Sequence, residues 1–130
     1  MNAQVTIEYL FLSLIALALL SFSVISLVSI RDASEKAFEA TQFKSTAAEF
    51  ANAMSEVCAL GKGNAREAYA KREMDISGGN SSNTYYAVFT DTESNLEVAR
   101  ETFCGVENAA GVYGKTRISN DAGVIRFRKA

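Results

Sequence analysis

The chain has 130 residues, with thirteen Lys and Arg against fifteen Asp and Glu, no histidine, no proline and two cysteines. That length allows one small domain and an appendage. The near balance of charge excludes an electrostatic nucleic-acid binder, which shows a marked basic excess or stripe, and the lack of histidine removes the usual general base and the commonest metal ligand.

The apolar residues are not spread evenly. Residues 5–30 hold a single charged group, Glu8, and every Lys and Arg lies at Arg31 or later. Tyr9 to Ile30 is a run of 22 uncharged residues, about 33 Å long as a helix and enough to cross the hydrocarbon core of a bilayer. No basic residue precedes the run, it is longer than the apolar core of a secretory peptide, and no small-residue cleavage site follows it. The segment is therefore expected to stay in the mature protein. Ala16, Ala18, Ser21, Ser23, Ser26 and Ser29 are small enough to let such helices approach one another closely.

After Arg31 the pattern stays helical but becomes amphipathic. Ala33, Ala37, Ala40, Phe43, Ala47, Phe50, Met54 and Val57 recur at three- and four-residue steps and share one face. Without proline nothing forces a kink, so one helix is predicted from Val5 to Leu60. Gly61 and Gly63 supply the stop, because glycine readily takes the left-handed conformation past a helix end.

Residues 66–76 read two ways. Propensity favours helix, with Glu67 and Lys71 as a supporting pair; alternation puts Ala68, Ala70, Met74 and Ile76 on one strand face, with Arg72 as the exception. "SGGNSSN" (77–83) is a loop by composition, and within it Asn80-Ser81-Ser82 is a sequon for N-glycosylation. "TYYAVFT", "LEVAR", "VYGKTRIS" and "GVIRFRK" follow as strand candidates. Short strands joined by polar loops indicate an antiparallel sheet, packed on the amphipathic part of the helix. Tyr85, Tyr86, Tyr113 and the Asn80 loop are candidates for an adhesive surface, although aromatic strand residues more often serve the core. Arg126, Arg128 and Lys129 read as a solvated edge rather than a ligand site.

Cys58 and Cys104 lie outside the membrane run. Their even number and the membrane context favour a disulfide in an extracytoplasmic domain, two separate buried thiols being the alternative. No zinc-ligand spacing, phosphate-binding loop or G-x-S-x-G nucleophile motif occurs. An enzyme is not expected, nor a catalytic residue, metal site or cofactor.

An ionised acid inside a membrane helix costs about 2.5–3.5 kcal/mol at the bilayer centre and less near the interface. Glu8 therefore calls for a partner, and no Lys or Arg of the same chain is near it in sequence. Its surroundings, "AQVTIEYL" followed by Leu12, resemble the Q-x-S-x-E-x-x-x-L signature of archaeal type IV pilin-like proteins with class III signal peptides. Gln4, Thr6, Glu8 and Leu12 occupy the signature positions, with threonine keeping the hydroxyl of the usual serine. The leader departs from the family, whose leaders commonly carry Lys or Arg before a glycine; here it is Met1-Asn2-Ala3. "EVCALGKGNAR" is similar to the family's cysteine and glycine-rich break, and this likeness decides for strand over residues 66–76.

The resemblance implies an α+β fold: a long N-terminal stem helix with a small C-terminal antiparallel β head packed on its second half. It implies a leader at 1–3, a transmembrane and filament-core helix at 4–30, an amphipathic continuation at 31–60 and a head at 61–130. A membrane aspartyl peptidase would cut between Ala3 and Gln4, and the subunit would pass from the cytoplasmic membrane into an extracellular adhesive filament of identical copies. An assembly ATPase and a membrane platform protein are the other implied partners. The amine freed at Gln4 is a cation near neutral pH, unless the glutamine cyclises, and in the filament core it could answer Glu8 of a neighbouring copy and set the register. A minor tip or initiation component, and a single-span accessory protein with an interfacial Glu8, are the alternatives.

Overall fold

The computed structural model describes residues 2–130, with side chains from Val5 onward. The fold is α+β: helix α1 (Asn2–Leu60) precedes strands β1 (Ala65–Ser81), β2 (Thr84–Asp91), β3 (Glu97–Thr102), β4 (Gly105–Val106), β5 (Ala109–Asp121) and β6 (Val124–Lys129). Two compact units divide the chain, the first ending at Phe38 and the second spanning Glu39–Ala130.

The first unit is helix alone. From Val5 to Phe38 every side chain is exposed except the half-buried Ser26. The amphipathic stripe therefore has two fates. Phe43, Ala47, Phe50, Met54 and Val57 are buried, whereas Ala33 and Ala37 are exposed.

In the second unit the last turns of α1 cover a six-stranded sheet of order β3-β2-β1-β5-β6-β4. The helix contributes the five buried residues just named and Ala51. Opposite them stand Ala68, Ala70, Met74 and Ile76 of β1, Ala87 and Phe89 of β2, Val112 and Ile118 of β5, and Ile125 of β6. Residues 66–76 are strand despite their helical propensity, because β1 is central, paired antiparallel to β2 on one side and β5 on the other; buried cross-strand packing outweighs a few tenths of a kcal/mol of local preference per residue. One pair departs from the antiparallel expectation: the two residues of β4 run parallel to β6.

The helix stops where the glycines predict. Gly61 and Gly63 have φ of 83° and 89°, and the Gly61 N–H donates to the Cys58 carbonyl at 3.2 Å. The Asn64 amide donates to the Leu60 carbonyl at 2.7 Å. Buried Asn120, from the far end of β5, donates to the Val57 carbonyl at 3.5 Å and accepts from the Gly123 N–H at 2.9 Å. The orphan carbonyls of the helix end are thus answered by the sheet as well as by the turn.

Residues 77–83 are not the expected loop. β1 continues to Ser81 and leaves Ser82-Asn83 as a two-residue turn, with φ of 48° and 72°, the left-handed pair that matches strand twist in a tight hairpin. The glycines within "SGGN" are there for close approach. Gly78 has the strand parity of Met74 and Ile76, and a Cβ on it would stand 2.1 Å from the Val106 carbonyl oxygen of β4. On the opposite face the Tyr86 ring lies over Gly79, 2.2 Å from where a Cβ would be. Composition read this stretch as loop because small residues serve both purposes.

Candidate functional site

The chemically unusual part of the chain is the N-terminal half of α1. From Val5 to Ile30 its Leu, Ile, Val and Phe side chains are all exposed, an apolar surface far beyond what a lone protein leaves in water. The helix is long and apolar enough to cross a membrane. Its serines suit such a medium. The hydroxyls of Ser13, Ser21 and Ser23 donate to the carbonyls of Leu10, Leu17 and Leu19, each at 2.9 Å, so they need no water.

Glu8 sits on this surface, exposed, with Leu12 one turn further on. Among the described residues it has no ion-pair partner. The first basic residue, Arg31, lies about 35 Å further along the helix, so a cation for Glu8 must come from the chain's own N-terminus or from another molecule. Thr6 and Leu12 are exposed on the same helix. The Ala3–Gln4 junction falls in the first turn of α1, and the Gln4 side chain of the expected register pair lies outside the described side chains.

Comparison with protein-family models, with curated proteins and with solved structures finds no match to this chain.

In the second unit Cys58 and Cys104 form a disulfide, their Cα atoms 5.9 Å apart. It fastens the end of α1 to the 103–106 segment, whose Cys104 and Val106 pack on the core. Asn80 is exposed, though on the end of β1 rather than in a loop, directly across from Tyr85. Tyr85 and Tyr113 are exposed and Tyr86 is half-buried over Gly79, so none of the three fills the core. No three His, Cys, Asp or Glu side chains gather as a metal-binding group among the described residues.

Two features escaped the sequence. Phe103, beside the disulfide, is 83% exposed; its local sequence "TFCG" carries no sign of this. A groove of about 560 Å³ runs between the start of β5 and the end of β6, with Val112, Tyr113, Phe127 and Arg126 among its walls. Arg126 is held there by Glu107 at 3.1 Å and Asp121 at 2.6 Å. β-Strand periodicity placed these residues on strands but could not say that they line one groove, where β5 runs on past the end of β6.

Proposed function

We propose that this chain is the structural subunit of an archaeal type IV-like adhesive pilus. The observation that carries the reading is the pairing of a helix whose large apolar side chains are all exposed from Val5 to Ile30 with a single acid, Glu8, that has no ion-pair partner among the described residues and is set four residues after Gln4 in a pilin-like signature. The subunit is stored with the helix in the cytoplasmic membrane. An aspartyl peptidase removes Met1-Asn2-Ala3, and a platform protein and ATPase then drive the helix out of lipid into a bundle of identical helices outside the cell.

Transfer from lipid to bundle exchanges one apolar surround for another, so bulk hydrophobicity alone cannot choose a register. Glu8 can. Inside a low-dielectric bundle an unpaired carboxylate is costly, and only the correct axial stagger brings the freed amine of one copy to the acid of the next. The disulfide-tied head supports the same reading, since a small core exposed outside the cell benefits from a covalent staple.

N-terminal sequencing of the mature protein, with electron microscopy and mass spectrometry of surface fibres, tests it. The expected result is a polypeptide beginning at Gln4 as the main component of the fibres. An intact Met1 on a protein found only in detergent-soluble membranes would make it a single-span accessory protein instead.

A further inference from the structure

Tyr85 follows the alternation of Ala87 and Phe89 and so shares their core face of β2. Toward the hairpin end β4 closes that face. A Cβ on Gly78 would meet Val106, and one on Gly105 would stand 3.8 Å from Cε1 of Tyr85. The next pair on the same face, past Gly78 and Ala87, is Asn80 opposite Tyr85. Here the cover runs out: Tyr85 is 39% exposed and Phe103 83% exposed. The two rings share a hollow of about 320 Å³ with Asn83, Glu101 and Thr102. Apolar side chains scattered singly over a surface need no explanation, but two rings around one hollow do.

Asn80 is placed to supply the cover. It is the only asparagine of the chain with Ser or Thr two positions later. Opposite residues of an antiparallel pair point to one face with Cβ atoms about 4.5–5.5 Å apart, so whatever Asn80 carries starts beside the Tyr85 ring. Asn80 and Ser82 are both exposed, and neither side chain makes a hydrogen bond among the described residues. The amide that takes the sugar and the hydroxyl two residues on are thus both open to a transferase.

From this juxtaposition we infer that Asn80 is N-glycosylated and that its glycan lies along the hollow, the first sugar over Tyr85 and the next against Phe103. The step joins Nδ2 of Asn80 to the anomeric carbon of a glycosyl phosphate or diphosphate carried on a membrane lipid. The anomeric C–O bond breaks, the lipid phosphate leaves with its electron pair, and the amide gives up one proton to the transferase. The C–H face of a pyranose is slightly positive and suits the negative face of an aromatic ring. Asn83 and Glu101 on the walls offer a donor and an acceptor to its hydroxyls. The inference requires a head outside the cytoplasm, which the Cys58–Cys104 bridge favours, and it stands whether or not copies form a filament.

The test is mass spectrometry of the full chain isolated from the cells that make it, followed by proton NMR in detergent and limited proteolysis. A glycopeptide bearing sugar on Asn80 is expected, and its loss in both Asn80→Gln and Ser82→Ala. Sugar protons over Tyr85 should shift upfield by its ring current and return to ordinary positions in Tyr85→Thr. Chymotrypsin should cut after Phe103 severalfold faster in Asn80→Gln than in the glycosylated chain. An unmodified Asn80 would overturn the inference. So would a glycan with unshifted protons or with no effect on cleavage at Phe103, since it would then point away from the rings. Neither failure touches the filament reading, which the mature N-terminus and the fibres decide separately.

Discussion

The guanidinium of Arg72 lies 3.2 Å from the carboxylate of Asp91, on the core side of the sheet. Arg72 is the residue that breaks the apolar alternation of β1, and its side chain is only 14% exposed while that of Asp91 is 1% exposed. It also reaches Glu93 at 2.6 Å and Glu39 of α1 at 3.5 Å. Between Ala70 and Met74 the register with β5 shifts from Gly114 to Val112, so the arginine occupies a bulge. Asp91 in turn holds the β2–β3 turn, accepting from the Ser94 hydroxyl at 2.6 Å. One cation thus joins the central strand, the helix and a turn.

Removing Arg72 leaves the buried Asp91 carboxylate without its counterion, which typically costs about 3–5 kcal/mol, whereas removing Asp91 leaves Arg72 paired with Glu93 and Glu39. Arg72→Met should lower stability by an amount of that order, and Asp91→Ala by less, since it loses the bonds of the β2–β3 turn but strands no buried charge. A double-mutant cycle by denaturant unfolding in detergent should show positive coupling between them. Strictly additive losses would mean that the pair acts only through packing.

The disulfide closes a loop of 46 residues in sequence separation, worth about 4 kcal/mol in the chain-entropy model. Cys58→Ser with Cys104→Ser should lose stability on that scale and open the 103–106 segment first, because that segment is held to α1 by the bridge. Limited proteolysis should then cut near Phe103 before any site in β1 or β5.

The two strand glycines should differ sharply when each is changed to alanine. At Gly78 the new methyl meets backbone, the Val106 carbonyl at 2.1 Å, and overpacking at an unyielding contact costs about 1–3 kcal/mol or more. At Gly79 it meets the Tyr86 ring, which can swing aside. Thermal unfolding should show a large drop for Gly78→Ala and a small one for Gly79→Ala, the latter relieved by Tyr86→Ala.

Ala122 has φ of 56° in the β5–β6 turn, followed by Gly123 at 89°. A Cβ-bearing residue in that region is strained by about 1–2 kcal/mol, which asparagine partly escapes by local hydrogen bonding. Ala122→Asn should therefore stabilise the head by roughly 0.5–1 kcal/mol, read as a rise in Tm. An unchanged or lower Tm would show that the turn relaxes to another form.

On the filament reading proposed above, Glu8→Ala should accumulate in the membrane, be cleaved at the normal bond and fail to form fibres, because that reading makes the acid the register marker while its loss eases insertion. Abundant normal fibres from this variant, seen by electron microscopy, would exclude a register role for the acid.

Much of this protein is legible in its residues because the relevant signals are local. The long helix follows from an unbroken apolar run, three- and four-residue spacing and the absence of proline, and its end from Gly61 and Gly63. The core stripe of Phe43, Ala47, Phe50, Met54 and Val57 follows from periodicity, and the alternation of Ala68, Ala70, Met74 and Ile76 is visible even where propensity points to helix. Other features are set by neighbours distant in sequence. Whether Ala33 and Ala37 are covered depends on how far the sheet extends along the helix. Gly78 and Gly79 look like a loop until Val106 and Tyr86 are seen against them, and Arg72 looks like an error in a strand until Asp91, Glu93 and Glu39 close around it. Periodicity reports which face a residue occupies; only tertiary contacts decide what stands opposite that face, and so the bulge, the parallel β4, the exposed Phe103 and the β5–β6 groove belong to the folded structure alone.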